Sequence, residues 1–127
     1  MRKIEQAMLS AINNKVDWRS SNTEVVRNFN SHSNVYLHGN HIATVKDNGD
    51  VSISNAGWRT VTTKSRLNAI INEFLDGTKN GVCQKDYCWY VIDHGRRYDF
   101  DSSAWYSFKS NALDVTHTVT NSELITV

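Results

Sequence analysis

Hydrophobic and polar positions along this chain alternate between a helical period and an extended one, and the switches divide it into elements. Over residues 2–14, Ile4, Met8, Ala11 and Ile12 fall at i, i+4, i+7 and i+8, which predicts an amphipathic helix ending near Asn13 and Asn14. From Lys15 to Asn55 the period shortens to two and turn residues recur at close spacing, the pattern of an antiparallel meander. Thr23–Asn28 reads as one strand; stretches 35–38 and 42–45 flank Gly39 and Asn40, and 51–54 follows a turn at 47–50. Val51 and Ile53 alternate with Ser52 and Ser54, so one face of the sheet is apolar and the other wet.

Leu67, Ile70, Ile71, Phe74 and Leu75 carry the strongest helical stripe, predicting a helix over 63–75 laid on that apolar face. Thr62 or Thr63 supplies its N-cap hydroxyl, and Asp76 with Gly77 supplies a left-handed stop. Residues 82–92 read as a further strand region, with Cys88, Tyr90 and Ile92 on one face and Tyr87, Trp89 and Val91 on the other. A turn at 93–96 leads into 97–100 and completes a hairpin. Ala104, Trp105, Phe108 and Ala112 share a helical face, which favours a short helix over an irregular cover within 102–113, and the alternation over 114–120 predicts a last strand. The sum is an α+β fold: N-terminal helix, antiparallel β-meander, amphipathic helix packed on the sheet, a further β-hairpin, and a C-terminal extension over 101–127.

A chain of 127 residues suits one domain. Its 14 basic and 13 acidic side chains leave a net charge of +1, so no global field draws it to nucleic acid or an anionic membrane, and any basic function is local. No run approaches the ~20 apolar residues of a membrane span, and Glu5 and Gln6 interrupt any signal-peptide core, which leads us to expect no membrane association and an intracellular protein. Cys83 and Cys88 differ by an odd number of positions, placing them on opposite faces of a single strand; free buried thiols are expected. His38 and His41 bracket a turn without a cysteine or carboxylate cluster, and Asp99 and Asp101 lack a third ligand. No nucleophile elbow is present. The chain therefore reads as non-enzymatic, with no catalytic residues, metal or cofactor.

Two sets of residues remain as binding candidates. Arg59, Lys64 and Arg66 crowd the end of the second helix where the dipole is already positive, and no acid lies between Asp50 and Glu73. With the hydroxyls of Thr62 and Thr63, the free N–H groups of a helix start and Trp58 to stack, they are the ingredients of a phosphate or nucleic-acid site. The plainer account is a capped, solvated surface, with the Arg66 stem lying along Trp58 or Tyr36. Trp89, Tyr90, Arg96, Arg97, Trp105 and Tyr106 form the second set, of the types enriched where protein partners dock, against the plainer account of core aromatics and a polar turn.

The stretch from Tyr36 through His38, Gly39 and Asn40 to Ala43, the stretch from Ile53 through Gly57, Trp58 and Arg59 to Thr60, and the stretch from Thr62 to Ile70 together resemble a group of small proteins of tailed bacteriophages. Gln84, Lys85, Trp89 and Tyr90 match a further stretch of the same group. The resemblance covers about residues 2–100 and lapses after Phe100. It implies a phage source and a helix, meander, helix, hairpin body, and brings no activity with it. The expected function is that of an accessory protein acting by binding, with a host or anti-phage-defence protein complex as the inhibited partner, in the cytoplasm of the infected bacterium, as a monomer or small homo-oligomer. The rivals are a nucleic-acid-binding module using the basic helix start and a self-assembling virion component using the C-terminal strand.

Overall fold

The computed structural model describes residues 2–108; the end of the expected C-terminal helix and the strand expected over 114–120 lie outside the described residues. Helix α1 spans Lys3–Asn14 and ends on Lys15 in the left-handed conformation, φ 59°. It buries Met8, Leu9, Ala11 and Ile12, and with them the carboxylate of Glu5. Strands β1 (Trp18–Ser20), β2 (Thr23–Asn28), β3 (His32–Leu37), β4 (Asn40–Lys46) and β5 (Val51–Ile53) follow as the meander. β1 was not foreseen, because three residues are too few to show a period.

Alternation decides which side of this sheet is core. Val25, Val35, Ala43 and Ile53 stand opposite one another across four strands and are all fully buried. The turn between β3 and β4 uses His38 and Gly39, at φ 51° and 78°, one position before the expected Gly39 and Asn40. A two-residue turn needs positive φ at both centres, and Asn40 is instead paired with Leu37. A bulge follows at once: Val35 pairs with Ala43 and Tyr36 with His41, so Ile42 is the extra residue and both it and Ala43 are buried.

Helix α2, Val61–Phe74, covers the apolar face with Leu67, Ile70 and Ile71, and touches β4, β5 and α1. It starts earlier than expected because Thr60 is the N-cap, and its end differs too: Leu75 is extended at φ −130°, and the Asp76 carboxylate takes the Thr78 N–H and hydroxyl at 2.9 and 2.6 Å. Gly77 is therefore not the helix stop.

A second, three-stranded sheet comprises β6 (Gly81–Lys85), β7 (Cys88–Asp93) and β8 (Arg96–Asp99). The stretch expected as one strand region reverses at Asp86 and Tyr87, at φ 51° and 68°. This reversal also corrects the thiols: Cys83 is half-buried on β6 and Cys88 is exposed beside the tip, both free. The Asn68 side chain of α2 donates to the Val82 carbonyl at 2.9 Å and accepts from its N–H at 2.8 Å, so a helix side chain adds a rung to the edge of β6.

In place of a helix after residue 102, a turn leads into β9, Tyr106–Ser107, which pairs antiparallel with β5 and gives the large sheet the order β1-β2-β3-β4-β5-β9. The edge of β5 offers backbone partners that a helix would leave unpaired; Phe108 N–H donates to the Val51 carbonyl at 2.9 Å. Tyr106 also links the two sheets, its hydroxyl donating to Asp93 at 2.8 Å.

Candidate binding site at the start of the second helix

The loop between β5 and α2 is built around Asn55, which is fully buried. Its side-chain oxygen accepts from the N–H groups of Gly57 and Ser103, each at 2.9 Å, and its carbonyl accepts from Trp58 N–H at 2.8 Å. The chain can close this tightly because Gly57 adopts φ 80°, where a side chain would also meet Ser103 Oγ at 3.3 Å. The result holds Trp58 outward at 55% exposure, and Val61, the first residue of the following helix, is 69% exposed.

Thr60 then opens the helix. Its hydroxyl accepts from Thr63 N–H at 3.1 Å and lies 3.0 Å from the Thr63 hydroxyl. Between this helix start and the His38 turn lies a cleft of about 210 Å3. Leu37 and Ile42 line its apolar part, His38, Asn40, Thr60 and Thr62 its polar part, and Trp58 one side. The bulge matters here, since it is what brings Ile42 to the cleft.

The model of the Kyanoviridae Gp96 protein family matches residues 1–111. The chain belongs to this phage protein family. No curated protein and no solved structure matches it. The Gp96 match runs past Phe100, so the family body takes in Trp105 and β9 as well as the helix, meander, helix and hairpin.

In this Gp96-family chain the basic helix start is not assembled as the sequence suggested. Arg66 is 3% exposed, and its guanidinium donates to Glu5 at 2.8 Å, Thr23 at 3.1 Å and Asn22 at 3.3 Å. It is not available to a phosphate. Burial alone would push the Glu5 carboxyl up, but the Ser65 hydroxyl and the Arg66 guanidinium outweigh it and hold the pKa below the ordinary value. Thr63 is also fully buried, its hydroxyl spent on Thr60. Trp58, Arg59, Thr62 and Lys64 remain at the surface or partly so. Neither Arg59 nor Lys64 has an ion-pair partner among the described residues.

The second set divides as well. Trp89 is buried against Phe100, ring centres 6.4 Å apart, and its indole N–H has no hydrogen-bond partner among the described residues, so it is a core residue. Tyr106 is half-buried; burial and the Asp93 carboxylate push its hydroxyl pKa well up, keeping it a donor. Arg97 lies 4.5 Å over the Tyr90 ring, while Arg96 is exposed. Trp105 is exposed and rests on His41, ring centres 4.6 Å apart, and His41 in turn stacks on Tyr36 at 5.1 Å. Parity alone carried a signal for Trp89, which alternates with Tyr90 and faces the same way as Val91. Among the described residues no group of three His, Cys, Asp or Glu is placed to hold a metal ion, and no helix is long and apolar enough to cross a membrane.

Proposed function

We propose that this phage protein is an accessory protein that acts without catalysis, by binding and inhibiting a protein complex of the infected host or its defences, with the surface at the start of α2 as its docking face. The supporting observation is that Trp58 stands exposed on the side of a partly apolar cleft, with Val61 exposed in the first turn of α2, and neither belongs to the hydrophobic core. Large apolar side chains at the edge of a concave, partly dry site are the anchors on which protein association concentrates. The nucleic-acid alternative draws on the same helix start but is left with Arg59 and Lys64 as its cations, since Arg66 faces Glu5.

The test is a tagged pull-down of the full chain from host cells, with and without nuclease, alongside a Trp58→Ala/Val61→Ser variant. A stoichiometric host protein that survives nuclease and is missing from the variant is expected. Recovery that collapses with nuclease would favour nucleic acid, and a chain found only in purified particles would favour the virion component.

A further inference from the structure

We infer that the cleft at the start of α2 receives one apolar side chain from an acidic segment of the protein partner, an assignment that rests on the binding reading above and specifies its chemistry. Size is the first reason. At about 210 Å3 the cleft is below the ~300–1,000 Å3 of small-molecule sites and suits a single inserted side chain. Its lining is the second. Leu37 and Ile42 offer aliphatic carbon and Trp58 an indole, while Asn40, Thr60 and Thr62 present amide and hydroxyl groups able to meet the backbone of an incoming chain.

Charge supplies the third reason. Arg59 lies between Trp58 and Thr60 in the chain, Lys64 is in the first turn of α2, and neither has a carboxylate partner among the described residues. No acidic side chain occupies that first turn or lines the cleft, and Arg59 and Lys64 adjoin lining residues in sequence, so these cations and the helix dipole favour negative charge at this end of α2. Carboxylates flanking the anchor complement it. A nucleic-acid strand fits less well, because an aliphatic floor does not stack bases and Arg66 is turned inward. The hairpin tip of a second copy, Asp86 and Tyr87, carries an acid beside an exposed aromatic and is the competing occupant.

The experiment is panning of a random displayed peptide library on the full wild-type chain, on Trp58→Ala and on Arg59→Glu/Lys64→Glu. Enriched peptides are then titrated against all three proteins, with an oligo-dT probe in parallel. The expected result is a shared motif of Leu, Ile, Phe or Trp flanked by Asp or Glu, with affinity falling about tenfold or more in each variant while the thermal midpoints stay together. Serine in place of the anchor should abolish binding. The assignment is overturned by peptides lacking either the anchor or the acids, by equal affinity for the variants, by preferential binding of oligo-dT, or by wild-type self-association that Tyr87→Ser removes. If panning fails while a nuclease-resistant host partner is still recovered from cells, the cleft assignment falls and the binding reading stands. If the motif emerges and no host partner is recovered, the reverse holds.

Discussion

The Arg66 guanidinium meets the Glu5 carboxylate at 2.8 Å across a sequence separation of 61. This contact ties α2 to α1, and the same guanidinium reaches Asn22 and Thr23 at the turn between β1 and β2. Both side chains are almost wholly buried, so removing one leaves the other as an uncompensated interior charge. Arg66→Ala should therefore lower the unfolding free energy by about 3–5 kcal/mol. Replacing both partners, Glu5→Leu with Arg66→Met, should cost much less. Urea unfolding followed by tryptophan fluorescence measures both, and equal losses in the two proteins would mean that packing rather than charge compensation is at stake.

The same pair sets an acid sensitivity. Glu5 has its folded pKa below the ordinary 4.5, so its stabilisation is complete above that value and is lost as pH falls through the folded pKa. Asp47, held down by Arg27, and Asp76, held down by Thr78, contribute to the same acid range. The stability difference between wild type and Glu5→Gln should thus be largest near neutrality and shrink below about pH 4.5, where the unfolded chain takes up a proton at Glu5 that the folded carboxylate still resists. A difference that stays constant through the acid range would show that the Glu5 carboxyl has the same pKa in the folded and unfolded protein.

Both helices were legible because Met8 with Ile12, and Leu67 with Ile70 and Ile71, repeat at helical spacing and do bury. The cap was less legible. Thr60, Thr62, Thr63 and Ser65 all carry the hydroxyl an N-cap needs, and what separates them is the burial of Thr63, a tertiary fact. Arg66 did leave a trace: it adjoins Leu67 and precedes Ile70 by one turn, as Glu5 precedes Leu9 by one turn in α1. Opposite charges on two apolar stripes are a signal for a buried pair, and charge counted only by its distance from the helix end overlooks it. The cleft had no such trace, since it depends on the bulge that carries Ile42 inward beside a helix start distant in sequence.

Asn55 holds the site-forming loop. Asn55→Ala leaves the N–H groups of Gly57 and Ser103 without their acceptor in a partly buried setting, and should cost about 1 kcal/mol or more. Its effect on the site should exceed its effect on the fold, because Trp58 N–H rests on the carbonyl of the same residue. Thermal unfolding gives the first quantity, and the fluorescence anisotropy of a bound peptide gives the second. Unchanged peptide affinity in a folded Asn55→Ala protein would show that the loop does not position Trp58.

Tyr87 presents the opposite case, a residue whose backbone is strained without any compensating burial. It sits at φ 68° with 91% of its surface exposed, at the second centre of a two-residue turn. A left-handed conformation costs a residue with a side chain about 1–2 kcal/mol, and glycine is the residue that avoids it. Tyr87→Gly creates the Asp-Gly pair preferred in such turns, and because almost no apolar area is lost, the entropy glycine gives up on folding offsets only part of the gain. The variant should be more stable by up to about 1 kcal/mol, a rise of several degrees in thermal midpoint. A lower midpoint would mean that the ring supports β6 and β7 through contacts made in solution. A higher midpoint together with unchanged recovery of the host partner would leave the strained aromatic tip without a role in that complex.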